Sequence, residues 1–291
     1  LCRHFLLGAL ARLVFLHDTC NGFLLGAVLG GGACALFEDG FLFGLHAAHH
    51  FCLRLGDCLL VGKSRTVEHA LRFGARFFRL GVVLTLYHDC GYIRRRNDTR
   101  HKNGAEYTLT HVTRSGNFLR SYLPSIGMAD MADLASRLVH FTGYETPVDS
   151  IRIDQPIHRV IGNLLGSADI IAQMADRCYL EKCYDRLFPE FMLGGIARRK
   201  TSEGVQVVFE SAADLIAKTP GFYQSAAKRL DQALEGAYRY AEPHFGGRNF
   251  YLESVEKNMT YARVLKDADT ISTLRRRPPR DASGTRQISL L

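Results

Sequence analysis

The sequence predicts an all-α protein. Two apolar stripes recur at helical spacing in its middle, strands and helices do not alternate as βαβ units, and there is no internal repeat. Helical periodicity dominates from about Arg65 onward. The apolar run Val82–Leu86 ends in Tyr87, His88 and Asp89, with Gly91 where a helix C-cap is expected. Thr110–Leu123 reads as a helix opened by His111, with Arg114 one turn further on the same face. Met131, Leu134, Leu138 and Val139 fall at i, i+3, i+7 and i+8, which predicts an amphipathic helix over 131–141. Asp133, Ser136, Arg137 and His140 fall off its apolar face. Ile161, Leu164, Leu165, Ala168, Ile171, Ala172 and Ala175 make a broader stripe and predict a more buried helix. Ala213–Lys218, Ala226–Tyr240 and Leu252–Leu265 predict further helices, and Val205–Phe209, bounded by Gly204, one short strand.

The 291 residues are 47% hydrophobic and 23% charged, too apolar for a disordered chain. Length suggests about two domains, although one helical domain with an extra terminal segment fits as well. The division expected is an N-terminal segment of uncertain structure over 1–62, a helical domain over 63–265 and a basic, disordered tail over 266–291. The net charge is +8, and Arg275, Arg276, Arg277, Arg280 and Arg286 against Asp281 place +4 of it in the tail. That run is broken by Pro278 and Pro279 and reads as a solvated end rather than a nucleic-acid arm.

Residues before Lys63 contain no lysine, hold five of the eight cysteines, and cluster Gly30, Gly31 and Gly32. No phosphate-loop or dinucleotide-binding glycine pattern is present there. With Leu1 in place of Met, the segment reads as an interaction segment, a fragment boundary or a shifted reading frame. No Cys-x-x-Cys pair occurs, which argues against a thiolate zinc site. Leu6–Leu16 is interrupted by Arg12, and Phe23–Phe37 is stopped by Glu38 and Asp39 short of the roughly 20 residues that span a bilayer. A cytoplasmic location with reduced thiols and no membrane partner is expected.

Two acids stand where acids are costly. Asp89 follows a buried helical run, and Asp169 neighbours Leu165 and Ala172 on the stripe that faces the core. Each costs several kcal/mol unless it is paired or bound to a cation. A shared metal would serve both, with imidazoles as neutral donors. His88, His111 and His140 lie at predicted helix ends. Each alone reads as an ordinary hydrogen-bonded histidine; together with the acids they form a nitrogen and oxygen donor set suited to Mn, Fe, Mg, Co or Zn.

The order His88-Asp89, His111, His140 and Asp169 on successive helices resembles the HD-domain metal-dependent phosphohydrolases, in a bacterial branch. Gly104-Ala105-Glu106-Tyr107-Thr108, His111-Val112-Thr113-Arg114-Ser115, Gly166–Met174, Thr219-Pro220-Gly221-Phe222 and Asn249-Phe250-Tyr251-Leu252 extend the resemblance over about residues 82–262. It implies an HD-domain-like helical bundle that gathers the ligands at one end. His88, Asp89 and Asp169 would hold one divalent metal ion, and His111 with His140 would help hold a second. A metal-activated water would then hydrolyse a phosphorylated small molecule such as a nucleotide. Asp89 and Arg114 are the catalytic residues in this reading. Arg94, Arg95 or Arg114 would neutralise phosphate charge, with Arg96 solvated.

The family needs one more histidine upstream of the pair, brought back to the site by two antiparallel helices and a turn. His69 has the family's local context but lies only 19 positions before His88, tight for two helices. His49 and His50 fit the length better but fall in the N-terminal segment. A site lacking that ligand would instead make the chain a regulatory module that binds metal or nucleotide without turnover.

Overall fold

A computed structural model of the chain describes residues 65–202 and 204–265 together with positions 271 and 274. The segment 1–62, His49 and His50, and the arginine-rich stretch 275–291 lie outside the described residues. Helices follow in chain order as α1 Arg65–Tyr87, α2 His111–Tyr122, α3 Ala132–Leu138, α4 Pro156–Ala175, α5 Tyr179–Lys182, α6 Phe188–Leu193, α7 Ala212–Lys228 and α8 Phe250–Val264. Among the described residues the strands are β1 Arg198–Thr201 and β2 Gly204–Val207, an antiparallel hairpin exposed along its whole length. The described residues are thus mostly helical, as the periodicity requires. Among them no helix is long and apolar enough to cross a membrane.

The core forms around α4. Pro156 occupies its first turn, where the missing N–H costs nothing. Ile161, Leu164, Leu165, Ala168, Ile171 and Ala172 are all buried, and α4 packs against α8, α3 and α1. Its companions start at caps: Ser211 Oγ accepts from the Asp214 N–H at 3.1 Å, and Asn249 Oδ1 from the Leu252 N–H at 3.2 Å.

Close approach of α3 to α4 depends on glycine. The turn Val139–Phe141 lies directly on α4 with the Phe141 ring wholly buried. A Cβ at Gly162 would come within 2.8 Å of that ring, and one at Gly166 would fall on the Phe141 carbonyl. The two glycines form one groove, and the turn seated in it carries His140.

Four expectations are corrected. The amphipathic helix over 131–141 is a shorter helix, α3, flanked by 3-10 turns at Ala129–Met131 and Val139–Phe141, although Met131, Leu134, Leu138 and Val139 are buried as predicted. The helix over 226–240 is broken. A π turn at Arg229–Ala233 is followed by left-handed Glu235 (φ 54°) and Gly236 (φ 64°), which stop the helix. The strand is Gly204–Val207 rather than Val205–Phe209, paired with a basic segment that carries no strand pattern. Gly91 does not cap α1, which stops at Tyr87. It lies in the turn Cys90–Tyr92, pressed so closely on α2 that a Cβ would fall on the His111 carbonyl.

One continuous helix also bears on the upstream histidine. Residues 69 to 87 lie on α1 without a break, so about 27 Å of axial rise separates position 69 from the helix end beside His88.

Gly166→Ala is expected to destabilise the chain by about 1–3 kcal/mol, because the new methyl meets backbone that must shift. Gly221→Ala on α7, where a Cβ meets nothing within 4 Å, should be neutral or stabilising by up to about 1 kcal/mol. Denaturant midpoints of the two variants check the contrast.

Candidate metal centre

The end of α1, the Cys90–Tyr92 turn, the start of α2 and the middle of α4 meet in one place. Contacts of Ser115, Arg114 and Tyr92 hold it. Gly91 N–H donates to Ser115 Oγ at 2.8 Å. The Arg114 guanidinium donates to the Gly91 and Ile93 carbonyls at 2.6 and 2.8 Å, and it lies 3.6 Å over the Tyr107 ring. Tyr92 stacks on the His111 ring with centroids 4.2 Å apart. Asn103 and Glu106 form a capping box around Gly104–Tyr107, which fixes the segment ending at Thr108.

Within this frame two imidazoles are oriented identically. His88 Nδ1 lies 2.8 Å from the Thr85 carbonyl and His111 Nδ1 2.7 Å from the Thr108 carbonyl. A carbonyl oxygen only accepts, so both Nδ1 atoms carry hydrogen, which aims each Nε2 the other way. Those nitrogens face acids. His88 Nε2 is 3.4 Å from Asp89 Oδ2 and 3.5 Å from Asp169 Oδ1, and His111 Nε2 is 3.4 Å from Asp89 Oδ1. These distances exceed a good N–H···O bond. Positive charge between nitrogen and carboxylate, carried by a ring proton or by a bound cation, makes such contacts favourable.

The structure thus brings together His88, Asp89, His111 and Asp169, four of the five ligand positions read from the sequence. They form a chain, His111 to Asp89 to His88 to Asp169, rather than a ring about one point. Among the described residues no three His, Cys, Asp or Glu side chains form a ready-made metal-binding group. The donor chemistry fits a borderline divalent ion: nitrogen and carboxylate oxygen, with each ring oriented by a backbone carbonyl behind it. His140 stands apart. Its Nε2 lies over Gly116, and its Nδ1 faces Glu145 Oε1 at 3.7 Å. The guanidinium of Arg114 is spent on carbonyls and Tyr107, so its place is that of a clamp on the Gly91 turn. Arg94 donates to the His101 and Lys102 carbonyls at 2.9 Å, while Arg95 and Arg96 are exposed.

Three residues the sequence did not single out complete the surroundings. Gln173 donates to Asp169 Oδ1 at 2.7 Å, and the i, i+4 spacing on α4 was the available signal. Glu145 follows His140 in an irregular loop without periodicity. Glu190 comes from α6, far along the chain. Burial, and then the charge of Asp89, push the Glu190 carboxyl up to about 7, with Tyr92 pulling it slightly back. Burial likewise pushes the Cys90 thiol up to about 11, with Asp89 adding to the shift against Ser115, so at neutral pH it is a thiol.

No family model matches the chain. No curated protein and no solved structure matches it.

The Glu190 shift sets a pH dependence. Its carboxyl holds a proton more tightly folded than unfolded, so the stability it contributes is present at low pH and lost as pH rises through about 7. In chelator-treated protein, Glu190→Gln should match the parent near pH 4.5 and exceed its melting temperature at pH 8. Melting curves across that range check the sign.

Proposed function

We propose that this chain is a metal-dependent hydrolase of phosphate esters, built on the HD-type arrangement that its motifs resemble. One observation carries the reading: two imidazole rings, each anchored through Nδ1 on a backbone carbonyl, face two carboxylates with Nε2 across 3.4–3.5 Å. Further acids, Glu190 and Glu145, stand around them. Two unit negative charges 4 Å apart repel by about 4 kcal/mol at an effective dielectric near 20. An anionic phosphate ester would be repelled from such a site unless cations were held in it.

In this reading His88, Asp89 and Asp169 hold one ion and His111 with His140 help to hold another, Asp89 lying between the two imidazoles. Bound divalent ions would supply a water of lowered pKa and the positive charge that phosphoryl oxygens need. Gln173 keeps one oxygen of Asp169 turned into the site. The carbonyls of Thr85 and Thr108 keep the two rings from rotating, and their protons stay on Nδ1. Arg114 acts as a positioning residue that holds Gly91 and Ile93 beside α2, rather than as a group on the substrate. Asp89 is the residue whose loss removes donors from both imidazole partners.

Purified protein is expected to take up Mn, Fe, Co or Zn and to hydrolyse a nitrophenyl phosphate only when metal is present. Asp89→Ala should abolish metal uptake and activity while leaving the helical circular dichroism unchanged. Elemental analysis reads this directly; undiminished metal in that variant ends the reading.

A further inference from the structure

The loop that joins α3 to the following turns carries an acid with no place yet in the reading above. Glu145 is folded back over its own loop, its carboxylate lying where a Cβ on Gly143 would stand. Arg229 fixes that loop from the other side. It donates to the Phe141 carbonyl at 2.8 Å and the Gly143 carbonyl at 2.6 Å, and its guanidinium lies 4.2 Å from the centre of the Tyr144 ring. Glu145 Oε1 thereby faces His140 Nδ1 at 3.7 Å, beyond hydrogen-bond range. That nitrogen is sealed from solvent and has no hydrogen-bond partner among the described residues. Leaving such an atom unpartnered is unfavourable.

We infer that Glu145 is a further metal ligand, a carboxylate oxygen that joins His140 and His111 around a second divalent ion beside the one held by His88, Asp89 and Asp169. The inference rests on the metal-dependent reading above. Its chemistry is that of a mixed site: imidazole nitrogen opposed to carboxylate oxygen, repeating the pattern of His88 with Asp169 on the other side of His111 and Asp89. Such a pair accepts Mn, Fe, Co or Zn more readily than a calcium-like ion, which prefers oxygen alone. His140, held apart from the acids at positions 89 and 169, acquires through Glu145 the carboxylate partner that His88 and His111 already have.

The test is manganese titration of the full chain by calorimetry, with elemental analysis of the washed protein. The parent should bind two equivalents. Glu145→Gln keeps the side-chain volume and removes the charge; it should lose the second equivalent or bind it about 10- to 100-fold more weakly, on the scale by which altered metal surroundings change affinity. Gly143→Ala, which displaces the Glu145 carboxylate without changing its chemistry, should weaken the same equivalent. Asp169→Asn should weaken the other one. Two equivalents at unchanged affinity in Glu145→Gln overturn the inference, as does a parent that binds only one ion, which leaves the metal-dependent reading standing. A parent that binds none overturns both.

Discussion

The arrangement of the centre depends on one constraint: backbone carbonyls hold the Nδ1–H of His88 and of His111 and so aim both Nε2 atoms at carboxylates. At 3.4–3.5 Å these nitrogens stand beyond a good hydrogen bond to Asp89 and Asp169. Positive charge held between nitrogen and oxygen makes the contacts favourable. Most buried acids in proteins are relieved by an arginine or by backbone N–H groups. Here the guanidinium of Arg114 is turned onto carbonyls and an aromatic face.

Close packing of backbone on backbone delivers these groups. Gly91 lets the turn after the His-Asp pair press against the first residue of α2, so the two imidazoles come from elements in van der Waals contact. Gly162 and Gly166 let the Phe141 turn lie on α4, which brings the end of α3 toward the helix that bears Asp169. Each of these contacts replaces a side chain by a bare Cα, and protein interiors have too little slack to absorb even one added carbon. The precision of the donor positions is therefore set by residues that carry no chemistry themselves.

How much of this was legible in the sequence follows from which signals are local. Asp89 and Asp169 stood out because each interrupts an apolar pattern of the correct period, and His88 and His111 because they border helices whose limits the pattern gives to within a few residues. The stripe on α4 was readable for the same reason. Glu145 was not, since it lies in a loop between Gly143 and Pro147 where no period exists. Glu190 was hidden because its only relation to Asp89 is tertiary. The break after α7 was missed because Glu235 in a left-handed conformation has no sequence signature. Arg114 was read as a phosphate partner from its place one turn after His111. Its bonds to Gly91 and Ile93 depend on how the preceding turn folds back, which spacing does not encode.

The bond from the His88 ring to the Thr85 carbonyl has a structural consequence as well. The last carbonyls of a helix have no partner within it, and Thr85 lies in the final turn of α1. The imidazole at 88 therefore terminates that helix while aiming its Nε2 at the acids. Donor orientation and helix termination are a single interaction, so replacing this side chain would fray the scaffold at the point where it meets the centre. A sequence that gave up the chemistry would still be under pressure to keep a hydrogen-bond donor there.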